Sequence, residues 1–194
     1  MADPEDILAF WLDEIGPAGW YRGSEKLDQD IRDRFSDTWR QARAGACSLW
    51  LTYPSGTLAY IILTDQLSRN MFRNSGTSFA TDRSARAAAK SAISKGWDLR
   101  IDEPARQFFY TPLMHSENLC DQDRSVRLIL TRMREAGETT FLHAKAHREV
   151  IRRFGRFPHR NKALSRESTA PEITYIENGG YGSTVEALKA KQAA

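Results

Sequence analysis

Apolar residues keep returning at three- and four-residue spacing from Ile7 to Phe154, and no stretch alternates with the period of two that a half-buried strand requires. That one property restricts the chain to helices. Ile7, Leu8, Trp11, Leu12 and Ile15 form the first such face, opened by Asp3, Pro4, Glu5 and Asp6, a capping residue followed by proline and acids in the first turn. Gly16 and Pro17 stop it. Leu27, Ile31, Phe35 and Trp39 make the second, capped by Ser24 and running out near Gly45.

The spacing predicts a third helix over roughly 56–73, apolar on every side across residues 58–63 and therefore central. A fourth begins within 78–82 and runs to Lys95, with an inner face of Ala85, Ala88, Ala89, Ala92 and Ile93 small enough for close helix packing. A short helix opens at Asp102, Glu103 and Pro104 and ends before Pro112. Ser116 can cap a sixth helix bearing Leu119, Val126, Ile129 and Met133, closed by Gly137. A seventh starts at Thr139 or Thr140, carries Ala144, Val150, Ile151 and Phe154, and ends at Gly155. Thr169 and Glu172 form a capping box for a last short helix, terminated by Asn178, Gly179 and Gly180. The expectation is an all-α fold, an irregular bundle of about eight helices in antiparallel pairs. It forms one domain over 1–180, with a frayed tail over 181–194.

With 41% apolar and 27% charged residues in 194, the composition is that of a globular chain. The run at 58–63 is too short to span a bilayer, and the acidic opening is unlike a signal peptide. Cys47 and Cys120 provide neither a disulfide framework nor a CxxC pair. These features point to the cytoplasm, with no membrane partner. A net charge of +3 argues against nucleic acid, but the charge is uneven. Residues 1–15 hold five acids and no base, whereas 147–166 hold Arg148, Arg152, Arg153, Arg156, Arg160, Lys162 and Arg166 against Glu149.

Three polar stretches need more than a helical pattern to explain them. Asp65, Arg69 and Arg73 fall at i, i+4 and i+8, with Gln66 and Asn70 beside them, on a helix whose preceding turns are apolar. Charges emerging from a buried helix must be paired or must line a cavity. An Asp65–Arg69 ion pair satisfies the first condition; Arg73 and Asn70, which lack a local partner, suit an anion-binding floor. His115, Ser116 and Glu117 are either a helix cap with an acid at the positive helix end or a catalytic group centred on His115. Arg156, His159, Arg160 and Asn161 are presented on a loop stiffened by Pro158, and a guanidinium fork suits carboxylate or phosphate. His143 and His147 have the i, i+4 spacing of two metal ligands. No further ligand pattern accompanies them, so they are read as core histidines, with no metal and no cofactor.

Asp65, Gln66, Arg69, Asn70, Phe72 and Arg73, then Phe79, Ala80 and Asp82, Pro112, His115, Ser116, Glu117, Asp121 and Gln122, and residues 154–161 with Ser168 and Thr169, together resemble the bacterial domain-of-unknown-function family 924. The likeness runs from about Ile7 to Gly180. It implies a tetratricopeptide-like all-helical fold and carries no reaction with it.

Two functions follow from the residues. In the first, the chain is a binding module for a small anionic ligand or a peptide carboxylate, with Asp65, Gln66, Arg69, Asn70, Arg73, Arg156, His159, Arg160 and Asn161 lining a groove. In the second, a hydrolase-type enzyme acts on an anionic substrate, with His115 or His159 as general acid/base and Glu117 or Asp65 orienting it. A purely structural role for every polar stretch is the third alternative.

Overall fold

The computed structural model describes residues 1–193, and among them there is no strand. The chain is all-α, and its contacts divide it into two compact units, Met1–Pro112 and the remainder from Leu113.

In the first unit, α1 (Pro4–Leu8) opens on a complete capping box between Asp3 and Asp6, then widens into a π-helical segment over Ala9–Ile15. α2 (Glu25–Arg43) starts where Ser24 accepts a hydrogen bond from the Leu27 amide. α3 (Pro54–Ile61) runs into a second π-helical segment, Ile62–Leu67, and a last α turn, Ser68–Met71. The predicted helix over 56–73 is thus one continuous rod interrupted by a wide turn. α4 (Asp82–Ser94) lays Ala85, Ala89 and Ala92, all fully buried, against α3, and these short side chains permit the close approach. Phe10, Trp11, Phe35, Phe108 and Phe109 fill the unit's centre, with Phe10 on Phe35 at 5.1 Å and Trp11 on Phe108 at 6.4 Å between ring centroids.

In the second unit, α5 (Leu119–Arg132) and α6 (Glu138–Phe154) form an antiparallel pair joined by a short loop. The N-cap of α5 is Asn118 rather than Ser116: its Oδ1 accepts from the amides of Cys120 at 2.9 Å and Asp121 at 3.3 Å. Ser116 instead donates its hydroxyl to Asp121 at 2.8 Å. Gly137, expected to close the preceding helix, stands at the N-cap of α6; α5 has already ended at Arg132. Gly155 ends α6 with φ +69°, the left-handed backbone that glycine accepts without strain. α7 (Ala170–Glu177) opens on the Thr169–Glu172 capping box. The segment read as a tail is helical, α8 (Gly180–Ala193), and packs on α6. Val150, Ile151, Phe157 and Tyr175 form this unit's core, with Phe154 and Tyr181 packed against it.

Candidate functional site

The polar end of α3 lies entirely in the first unit. A π turn carries one more residue than an α turn, so the i, i+4 arithmetic no longer predicts partners beyond it. Arg69 illustrates this: its Nη2 is 4.0 Å from Asp65 but 2.8 Å from Asp82 on α4, and Nη1 donates to the Ser78 carbonyl. Asp65, only 1% exposed, accepts from Gln66 Nε2 at 2.6 Å, and the same Nε2 lies 3.2 Å from the Thr111 hydroxyl.

Arg73 and Asn70, which have no nearby partner in sequence, share a distant one. Asp28 on α2 takes Arg73 Nε at 2.6 Å, Arg73 Nη2 at 2.8 Å and Asn70 Nδ2 at 2.8 Å. Burial disfavours the Asp28 carboxylate, but these donors outweigh it and hold its pKa below the ordinary aspartate value. The expected anion-binding floor therefore already holds an anion, and that anion is the protein's own.

In the second unit two arginines are matched in the same way. Glu117 accepts from Arg166 at 2.7 Å and 3.0 Å and from the Phe157 amide at 2.8 Å. These bonds overcome its burial and lower its pKa. Both of its oxygens clasp the loop, so Glu117 is committed to Arg166 and Phe157 rather than to an imidazole. Glu172 binds Arg156 through two contacts at 2.6 Å and 2.7 Å, and its pKa is lowered to about 2, chiefly by that arginine. Asn161 is spent on Ser168 at 3.1 Å and Arg166 at 3.0 Å. Arg156, Asn161 and Glu117 thus build the loop.

What the loop presents is a cluster that sequence reasoning did not assemble. All four histidines of the chain meet in this unit around Phe157 and Tyr181. The His147 ring lies 5.9 Å from His115, 5.5 Å from Phe157 and 4.7 Å from Tyr181, centroid to centroid. His159 is 5.5 Å from Phe157, and the Arg160 guanidinium carbon sits 4.4 Å from the centre of the same ring. Arg160 is buried, while His159 is exposed and His115 partly so.

His147 Nδ1 is 2.8 Å from the His143 carbonyl, and Tyr181 Oη closes on it at 3.0 Å while lying 2.7 Å from His143 Nδ1. Burial, reinforced by His115, Arg160 and His159, presses the His147 pKa down to about 3. Burial and Lys189 lower that of His143. The i, i+4 histidine pair was visible in sequence; Tyr181, assigned to the tail, was not. Among the described residues no group of three or more His, Cys, Asp or Glu could hold a metal ion, and no helix is long and apolar enough to cross a membrane.

A solved structure of a protein of unknown function, ATU0120 from Agrobacterium tumefaciens, is similar to this chain. The two are 38% identical, the match covers 90% of this chain and 97% of that one, and the TM-score is 0.85. No curated protein matches the chain. The model of the family described as "Bacterial protein of unknown function (DUF924)" matches residues 7–180, a span that contains both units' polar networks and the histidine cluster, and the chain belongs to that family.

Proposed function

We propose that the chain is a binding module for a small anion, a carboxylate or a phosphate, held by Arg160, His159 and His115 in the second unit. The observation that carries this reading is the convergence of four imidazoles and a guanidinium around Phe157 and Tyr181. Such a cluster is costly as a structural device, because burial and basic neighbours disfavour a charge on His147 while the Arg160 guanidinium is itself taken out of water beside Phe157. Glu117 and Glu172 hold Arg166 and Arg156 in their shortest contacts. An incoming anion gains from the Arg160 charge and meets donors already held in place around Phe157.

The polar end of α3 supports the reading less strongly, since Arg69 and Arg73 already hold Asp82 and Asp28. A site at the end of α3 instead, using Asp65, Gln66, Arg69, Asn70 and Arg73, would make Arg69→Gln the damaging change and leave Arg160→Gln without effect. Calorimetric titration with inorganic phosphate and with a short peptide bearing a free carboxylate tests both versions. The expected result is binding of at least one probe, weakened about tenfold or more in R160Q, consistent with the loss of one charge-assisted hydrogen bond, and little changed in R69Q. Equal loss in both variants also overturns the assignment to this cluster alone. No binding of either probe, or binding that R160Q leaves intact, overturns the assignment to this cluster.

A further inference from the structure

The hydrogen bond between His147 and the His143 carbonyl determines which face of the imidazole a ligand would meet. A carbonyl oxygen only accepts, so at 2.8 Å the Nδ1 of His147 must carry the proton. The neutral ring then has a bare lone pair at Nε2. His147 makes its hydrogen bonds through Nδ1, to the His143 carbonyl and Tyr181, and none through Nε2 among the described residues. The ring is only partly buried, and it sits beside His115 and Phe157, next to His159 and Arg160. The site thus combines the Arg160 cation and the imidazoles of His115 and His159 with one obligate acceptor.

We infer that His147 Nε2 makes this site selective for an anion that still carries a proton, a phosphate or phosphomonoester bearing a P–OH group, over an anion of the same shape that has none, such as sulfate. The inference rests on the anion-binding reading above and specifies the ligand class. A P–OH donates to Nε2 while its other oxygens accept from Arg160 and the neighbouring imidazole N–H groups. Sulfate would set an oxygen lone pair against the nitrogen's lone pair and leave the acceptor unpaired.

The other groups facing His147 do not change this. His143 and Tyr181 hold its Nδ1 side, Lys189 acts on His143, and His115, His159 and Arg160 each disfavour a positive charge on His147. With its pKa at about 3, the ring stays a neutral acceptor across the pH range in which phosphate keeps a proton.

Titrating the full chain separately with inorganic phosphate and sodium sulfate at one pH and ionic strength tests the inference, alongside His147→Asn. Asparagine keeps an N–H to offer the His143 carbonyl and leaves no acceptor at the position of Nε2, since its own carbonyl stops one bond short. The expected outcome is about tenfold tighter binding of phosphate than of sulfate in the wild type, the usual consequence of one unpaired polar group, and a ratio near one in H147N. Nitrogen NMR on wild-type protein gives an independent readout that needs no variant. Phosphate should shift the unprotonated His147 Nε2 resonance in the direction of an accepted hydrogen bond, and sulfate should not. Equal affinities with an unmoved Nε2 overturn the selectivity and leave anion binding standing. Failure of both anions to bind overturns the two together.

Discussion

Replacing Glu172 by Gln should cost the second unit about 2 kcal/mol at neutral pH, and the cost should disappear in acid. Glu172 does two things at once: it closes the α7 capping box by accepting from the Thr169 amide at 2.7 Å, and it pairs with Arg156 through both oxygens. Glutamine can still reach back to the N-cap amide, so the substitution removes the charge more than the cap. A pKa lowered from 4.5 to about 2 converts to about 3 kcal/mol of linked stability. Arg156 keeps 29% of its side-chain exposure, so water screens part of the attraction and about 2 kcal/mol is the figure to expect. Because the folded-state pKa is depressed, the stabilisation is complete above the unfolded value near 4.5 and is lost as pH falls towards 2. Urea denaturation of wild type and E172Q at a series of pH values, read by circular dichroism, measures the difference directly. A gap that stays constant from pH 7 to pH 3, or one below about 0.5 kcal/mol at pH 7, would refute the charge-based account.

Two further outcomes test the cap and the buried acid. N118A should destabilise the chain by about 1 kcal/mol and speed hydrogen exchange at the Cys120 and Asp121 amides; S116A should leave those amides protected, since Ser116 bonds the Asp121 side chain instead. D28N should cost about 2 kcal/mol, because Arg73 and Asn70 lose a charged acceptor that is nearly fully buried. A double-mutant cycle with R73Q should then show a coupling above about 1 kcal/mol, and an additive cycle would mean that the pair is incidental.

What was legible in the sequence is what local spacing controls. Ser24, Gly155 and the Thr169–Glu172 pair stand at helix ends as expected, because caps satisfy backbone groups within four residues and need no knowledge of the rest of the chain. What was not legible is what the tertiary structure supplies. Arg73 and Asn70 pair with Asp28, over forty residues away, and no periodicity announces such a partner. The wide turn at Ile62–Leu67 leaves no mark in composition either, and Arg69, still 4.0 Å from Asp65, makes its shorter contact with Asp82 at 2.8 Å. Asn118 displaced Ser116 as the cap because the chain between them bends through a non-helical residue, so the nearer oxygen reaches the amides first. His115, His143, His147 and His159 belong to three separate segments, and only their tertiary meeting with Tyr181 makes one cluster of them.

The clasps at either end of the loop after α6 also bear on how the protein survives a protease. Residues 152–166 carry Arg152, Arg153, Arg156, Arg160, Lys162 and Arg166, a succession of bonds that trypsin would cut readily in an extended peptide. In the fold, Arg156 is pinned to Glu172 and Arg166 to Glu117, and Arg160 lies buried against Phe157. A protease must pull several residues straight to cleave between them, which strains the pins at either end. Nicking between Arg156 and Arg166 therefore reports opening of this loop, and its rate falls with whatever ligand steadies it.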